Sequence, residues 1–225
     1  MLKADLHSHT YFSPDCLTAP ERYVAACQRR GINCVAVTDH NTIQGGLAVQ
    51  KMAPFRVIIG EEVRTGEGEI TGLFLTQEVP GGLTLEETVR RIKEQGGLIS
   101  IPHPFDRFRG EPLGREALLR VLAQVDIIEV FNARTTLPRD NQRAVELALK
   151  HDLAMGAGSD AHSPWEVGRA YVEMPEFDGG PQEFLQALRQ GRVVGRRSSP
   201  LLIHLVSRWA ALRRRLGWRP VPSAP

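Results

Sequence analysis

From Phe184 onward the 225-residue chain has no acidic residue and no lysine, yet it carries nine arginines there. The remaining 19 basic residues face 26 acidic ones over the first 183 positions, so a body of about −7 is joined to a tail of +9. An acidic body suits a protein that gathers divalent cations; a basic tail suits an anionic partner or simply solubility. No apolar run is long enough to span a bilayer. The start, Met1-Leu2-Lys3-Ala4-Asp5, lacks the basic stretch and apolar core of a secretion signal, which predicts a cytoplasmic protein. The three cysteines, Cys16, Cys27 and Cys34, are odd in number and show no Cys-x-x-Cys spacing. That argues against a disulfide framework or a zinc knuckle and fits a reducing compartment. A Walker-type glycine loop, a dinucleotide fingerprint and internal repeats are all missing.

What is present reads as repeating β/α. Strands are expected at Leu2 to Leu6, Cys34 to Thr38, Phe55 to Ile59, Glu69 to Thr76, Leu98 to Ile101, Ile127 to Phe131, Ala154 to Ala157 and Ala170 to Met174. Helices are expected at Ala19 to Arg30, Ile43 to Met52, Thr84 to Gln95, Arg115 to Ala123, Arg139 to His151 and Pro181 to Gln190. Thr18 is positioned to cap the first helix, Gly31 to end it, and Thr84-x-x-Glu87 has the form of a capping box. Gly66 and Gly68 mark a turn between two strands. Strands alternating with helices of this length favour parallel pairing, in a barrel or an open α/β sheet, over residues 1–197. A basic helix is expected over 198–219 and a disordered tail over 220–225.

Five of the seven histidines sit where apolar, β-rich runs end: His7-Ser8-His9, Thr38-Asp39-His40, Pro102-His103-Pro104 and Ser159-Asp160-Ala161-His162. In an extended segment His7 and His9 point to one face, with Asp5 one step earlier, and Asp160 with His162 repeats the spacing after another strand. Imidazoles and carboxylates gathered at strand ends are how a barrel builds a metal site from distant parts of a sequence. Each of His40 and His103 alone is more often a hydrogen-bonded structural residue than a ligand, and Asp15, after Ser13-Pro14, an ordinary turn aspartate. Glu62 offers a carboxylate able to bridge two ions, with Glu61 as its competitor; strand parity does not choose between them.

Taken in order, His7-x-His9, Asp15, Thr38-Asp39-His40, Gly60-x-Glu62, Pro102-His103-Pro104 and Gly158-Ser159-Asp160-Ala161-His162 resemble the polymerase and histidinol phosphatase (PHP) family. The resemblance implies an α/β fold, a distorted (β/α)7 barrel whose strands hold two or three divalent metals at their C-terminal ends and cleave phosphate esters. It implies one ion held by His7, His9, Glu62 and Asp160, a second sharing Glu62 with His103, and a third held by Asp15, His40 and His162. Where many relatives place a histidine or cysteine for the second ion, this chain has Asn132, a weaker ligand; Glu129, three residues earlier, is the less favoured alternative. Glu62, His103 and Asp160 are expected at the reacting phosphate. No general acid is assigned, because a group committed to a cation does not readily donate a proton. Mixed imidazole and carboxylate ligands favour manganese, iron or zinc over magnesium.

The resemblance is to compact members acting on nucleotides or the 5′ ends of short nucleic acids, implying hydrolysis by a metal-activated water, including 5′-3′ exonuclease activity. A small-metabolite phosphatase of the histidinol-phosphate type and a catalytically silent metal-binding module are the alternatives. Arg107, Arg109 and Arg134 are candidates to clamp a second phosphate, and Phe105 and Phe108 to stack on a base. From Leu201 to Trp218, Leu202, Leu205, Val206, Trp209, Leu212 and Leu216 recur at helical spacing among arginines. Such a helix docks on the barrel through that stripe, lies on an anionic membrane, or follows a nucleic-acid backbone.

Overall fold

The computed structural model describes residues 1–108 and 112–217. Within them nine strands form one sheet: β1 (Leu2–Asp5), β2 (Cys34–Val37), β3 (Arg56–Thr65), β4 (Gly68–Leu73), β5 (Leu98–Ile101), β6 (Ile127–Asn132), β7 (Ala154–Gly158), β8 (Ala170–Met174) and β9 (Arg192–Gly195). Helices α1 (Pro20–Arg30), α2 (Gln44–Gln50), α3 (Leu85–Glu94), α4 (Arg115–Val121), α5 (Pro138–Lys150) and α6 (Pro181–Arg189) connect them, and α7 (Pro200–Arg215) follows. The spatial order is β7-β6-β5-β4-β3-β2-β1-β8-β9. Beyond β1, Leu6 N donates to Ala157 O at 3.0 Å, Asp160 N to His7 O at 2.7 Å and His9 N to Ala161 O at 3.0 Å. The segment after β1 thus meets the segment after β7, and the seven strands β1 to β7 curl into a nearly closed barrel.

Pairing is not parallel throughout, as the β/α rhythm led one to expect. β1, β2 and β3 are parallel to one another, as are β5, β6 and β7, but β4 runs antiparallel to both its neighbours and β8 antiparallel to β1. The cause is local. β3 continues past Ile59 to Thr65, then turns at once into β4, with Gly68 at φ 135° and the Thr65 hydroxyl donating to Gly68 O at 2.7 Å. A two-residue connection permits only an antiparallel return. The polar Glu61 and Glu62 masked the continuity of β3. β9, four residues beginning with arginine, had too little apolar pattern to be read.

Alternation decides which side each residue faces. Cys34 and Ala36 pack inside the barrel with Ala4, Ile58, Leu73, Leu98, Ile127 and Ala154, and Phe177 and Phe184 join this cluster. Val35 and Val37 face outward onto Tyr23, Val24 and Cys27 of α1. The interior is therefore a filled core rather than a pore. On β3 the same rule sends Glu61 outward, where its Oε2 accepts from Val79 N at 2.8 Å, and Glu62 inward. Burial pushes the Glu61 carboxyl up to about 7.

Thr84 accepts from Glu87 N at 3.2 Å, one half of the expected capping box, while the Glu87 carboxylate pairs with Arg90 and Arg91; Gly31 ends α1 at φ 66°. Thr18 does not cap α1. Ala19, whose methyl group cannot accept a bond, occupies that position, and the Thr18 hydroxyl lies 3.4 Å from the His162 carbonyl instead. Trp218, Arg219 and the tail expected to be disordered from Pro220 lie outside the described residues. No helix among the described residues is long and apolar enough to cross a membrane.

Gly158 ends β7 where a Cβ would stand 2.2 Å from His7 Cβ and 2.8 Å from Glu129 Oε1. Gly158→Ala is expected to cost about 1–3 kcal/mol in urea unfolding, whereas Gly114→Ala, with open space around it, changes little. Glu61 gives a pH test. Its folded carboxyl keeps its proton to about pH 7, while the unfolded one ionises near 4.5, so stability falls between those values and stays lowered above them. Glu61→Gln should leave the melting midpoint unchanged near pH 4 and raise it at pH 8; an unchanged midpoint at pH 8 contradicts the burial argument.

Candidate metal centre

The β2–β3 pairing runs on past the strand ends, with Glu62 N donating to Asp39 O at 3.2 Å and Asn41 N to Glu62 O at 3.0 Å. That register sets Glu62 among histidines. Its Oε2 lies 3.2 Å from His7 Nε2, 3.4 Å from His9 Nε2 and 3.3 Å from His40 Nδ1, and its Oε1 lies 3.1 Å from His103 Nε2. His7 Nε2 and His9 Nε2 face each other at 3.1 Å, and Asp160 Oδ1 is 3.5 Å from His9 Nε2. At the outer side, Asp15 Oδ2 is 2.9 Å from His162 Nε2 and Asp15 Oδ1 is 3.8 Å from His40 Nε2. Eight of the nine residues expected as ligands thus converge on one centre.

Donor atoms sharing one ion at bonds of about 2.1 Å stand roughly 3–3.5 Å apart. The spacings around His7, His9, Glu62 and Asp160 have that form, and a single proton cannot satisfy two imidazole nitrogens and a carboxylate pointed at the same spot. Asp15 Oδ1 is buried without a hydrogen-bond donor among the described residues. The donor set therefore fits divalent cations. Three groups of side chains offer ligand atoms within 4.8 Å of one another: His7, His9 and Asp160; His7, Glu62 and His103; His9, His40 and His162.

The far nitrogens of His7 and His9 are held as a ligand requires. Glu129 Oε1 faces His7 Nδ1 at 3.1 Å, while its Oε2 accepts from His103 N at 2.7 Å. Ser13 Oγ donates to Asp39 Oδ1 at 2.9 Å, and so receives His9 Nδ1–H at 3.0 Å and His40 N–H at 3.0 Å. Both arrangements leave the Nε2 lone pairs aimed at the centre. His103 and Asp160 carry positive φ, 27° and 50°, a strained conformation maintained where it aims side chains.

Charge is tightly coupled here. Burial disfavours a charged Glu62, yet the imidazoles of His7 and His40 and the hydrogen bond from His103 hold it well below the usual carboxylate range. Burial disfavours a charged His103 too, but Glu62 raises it to about 9. Burial and the neighbouring His162 take His9 down to about 3.

Three expected roles change. Asn132 does not turn its oxygen to the centre: Oδ1 accepts from Arg134 N at 2.8 Å, and Nδ2 donates to Asp160 Oδ2 and Glu129 Oε2, both at 3.1 Å. Two carboxylates demand a donor, which fixes the amide. Asp5 does not line the metal face either. Its oxygens accept from Ser159 N at 2.8 Å, Ser159 Oγ at 2.5 Å and Gly168 N at 3.0 Å, and burial pushes its carboxyl up to about 6. It pins the end of β1 to the loop after β7. Arg134 is buried rather than free to clamp substrate: Nη1 lies 2.5 Å from His162 Nδ1, Nε 3.3 Å from Glu166 Oε1, and Nη2 donates to Ile203 O and Ser207 Oγ of α7.

Arg107 is exposed on the loop after His103, and Arg109 lies outside the described residues. Phe105 packs beneath Arg143, 4.2 Å from its guanidinium. Phe108, 65% exposed, stands at the rim of a cavity of about 310 Å³ lined by the histidines and carboxylates and walled on one side by Ile203 and Ser207. Sequence reasoning overlooked Glu69, on β4, whose oxygens lie 4.0 Å from His40 Nδ1 and 3.9 Å from His103 Nε2. It also overlooked Ser13 and Glu166, whose serviceable signal was proximity to motif residues and nothing more.

Two uncharacterized proteins of Methanocaldococcus jannaschii resemble the chain. One is 39% identical over 198 residues, covering 84% of this chain and 79% of that protein; the other is 42% identical over 146 residues, covering 59% and 82%. Among solved structures, a two-domain protein containing a predicted PHP-like metal-dependent phosphoesterase from Bacteroides vulgatus superposes with a TM-score of 0.69 at 23% identity, over 87% of this chain. The chain spans 65% of that protein's length. PsfC from Pseudomonas syringae gives a TM-score of 0.69 at 21% identity, over 93% of this chain and 97% of its own. The lesion-specific endonuclease PfuEndoQ from Pyrococcus furiosus gives 0.66 at 16% identity, over 88% of this chain and 59% of its own. The PHP domain model matches residues 5–110 and the PHP-associated model residues 138–193. Those two spans contain every side chain that converges on Glu62, and the chain belongs to the PHP domain family.

Proposed function

We propose that this protein is a metal-dependent phosphoesterase that hydrolyses a phosphate ester of a nucleotide or the end of a short oligonucleotide. One observation carries the reading: the two oxygens of the buried Glu62 face four imidazoles, His7, His9 and His40 on one side and His103 on the other. In this reading His7, His9, Glu62 and Asp160 hold one cation, Glu62 and His103 a second, and Asp15, His40 and His162 a third. The imidazole-rich set favours manganese, iron or zinc over magnesium. When bound, such cations neutralise phosphate oxygens, lower the pKa of a water towards about 7 and stabilise the leaving oxygen. The protein's own part is orientation. Glu129 and Ser13 keep protons on the outer nitrogens of His7 and His9, and Asn132 holds Asp160 Oδ2 so that Oδ1 points inward.

The preference for a small or terminal ester is supported by the cavity of about 310 Å³, closed on one flank by α7, with Phe108 exposed at the rim where a base can stack. Solved structures of similar fold include a predicted phosphoesterase and an endonuclease, which supports phosphate-ester chemistry. A small-metabolite phosphatase is the second reading, favoured by Arg134: its guanidinium is committed within the protein and offers no clamp for a second phosphate. A cytoplasmic location is supported by three free, buried cysteines, with the thiols of Cys27 and Cys34 pushed by burial to about 12.

The deciding experiment loads the protein with manganese, iron or zinc and offers mononucleotides, 3′,5′-bisphosphates, 5′-phosphorylated oligomers and histidinol phosphate. Release of phosphate or a mononucleotide from the first three is expected; cleavage of histidinol phosphate alone supports the second reading, and no cleavage of any of them defeats both. Glu62→Gln should lose bound metal by elemental analysis together with turnover. Glu129→Gln, which takes the charge from the carboxylate shared by His7 Nδ1, His103 N and Asn132 Nδ2, should cost about 10–100-fold in metal affinity or activity. A Glu62→Gln protein retaining full metal content contradicts the bridging role.

A further inference from the structure

Of the three placements the sequence left open for the C-terminal helix, docking through its Leu/Trp stripe is not what the described side chains show. α7 turns Ile203 and Ala210 inward, 1% and 2% exposed, with Ser207 between them. Arg134 fastens this face from below through Ile203 O at 3.3 Å and Ser207 Oγ at 2.7 Å. The described side chains of the bulky stripe expected to pack on the barrel face outward instead. Leu205, Trp209, Leu212 and Leu216 are 56%, 54%, 49% and 76% exposed, at spacings of four, three and four residues. Arg208 and Arg215 are exposed beside them, and the Arg213 guanidinium lies 4.8 Å from the Trp209 ring centre.

We infer that this outer face of α7 seats the protein on an anionic lipid bilayer. The helix already has a tertiary anchor on its inner face, so the exposed Leu/Trp row is not a packing surface left over from the core. Four large apolar side chains in one line, with arginines alongside, are the composition of a helix lying in a membrane interface: the apolar row enters the acyl boundary and the guanidinium groups meet phosphate headgroups. Charge fixes the orientation. The first 183 residues carry about −7 and are repelled by an anionic bilayer, whereas the nine arginines after Phe184 are attracted to it. Other occupants fit less well. A twofold pairing of two α7 helices sets arginine rows against each other, and a nucleic-acid backbone engages the arginines but leaves the leucines wet. Because Ile203 and Ser207 also wall the cavity, a bilayer-bound α7 holds the mouth of the metal centre close to the headgroups. The inference does not depend on what that centre cleaves.

The test is flotation of the full chain with vesicles of phosphatidylglycerol and phosphatidylcholine against vesicles of phosphatidylcholine alone. The protein should rise with the anionic vesicles only, and less as salt is added. Replacing Leu205, Trp209 and Leu212 together by Ser should reduce partitioning at least tenfold, with unchanged helical circular dichroism showing that the fold persists. Independently, tryptophan emission should shift to the blue on anionic vesicles and lose most of that shift in Trp209→Phe; this reading holds even if the triple variant misfolds. Equal binding to both vesicle types, or anionic binding unaffected by the triple substitution, overturns the inference. So does a chain that is dimeric without lipid and becomes monomeric in the triple variant, or one in which the stripe is required for binding a single-stranded oligonucleotide and not vesicles.

Discussion

The Glu62 carboxylate, surrounded by imidazoles and shut off from water, is the constraint on which the rest of the structure turns. A buried carboxylate is tolerated only where opposite charge or hydrogen bonds offset its desolvation, and here the compensation comes from four histidines on three different loops. Bringing those loops to one place requires β1, β2, β3 and β5 to share a barrel rim. The outward-facing Glu61, satisfied by a single backbone N–H and pushed towards neutrality, shows what a similarly buried carboxyl does without such company.

A second layer of polar contacts makes the rim rigid. Glu129 joins His7 to the backbone of His103, Ser13 joins His9 to Asp39 and His40, and Asp5 joins the end of β1 to Ser159 and Gly168. Each of these residues holds two pieces of chain that are remote in sequence. The left-handed backbone at His103 and Asp160 is sustained by this surrounding framework rather than by local preference.

Much of this was readable from the chain because the ligand pairs obey strand periodicity: His7-x-His9 and Asp160-x-His162 announce a shared face, and each follows an apolar run. The helix stops were readable from glycines and the Thr84 cap. What was not readable had two causes. Facing depends on tertiary neighbours, so Glu61 and Glu62 could not be separated, and Asn132 looked like a ligand until two carboxylates were seen to claim its amide nitrogen. Direction of pairing depends on connection length, so β4 passed for one more parallel strand although only two residues separate it from β3. Arg134 shows the same limit. A loop arginine beside a phosphate site suggests a substrate clamp, and only the course of α7 reveals that its donors are taken.

Closure of the barrel by backbone bonds between the segments after β1 and β7 has a consequence for biosynthesis. Asp5 and Ser159 are 154 positions apart, so β1 must wait for about 150 further residues to be made before its partner loop exists. Until His162 has left the ribosome, the early histidines belong to an open half-rim. A nascent chain of this design cannot complete the cluster around Glu62 until His162 has emerged, long after His7 and His9 were made.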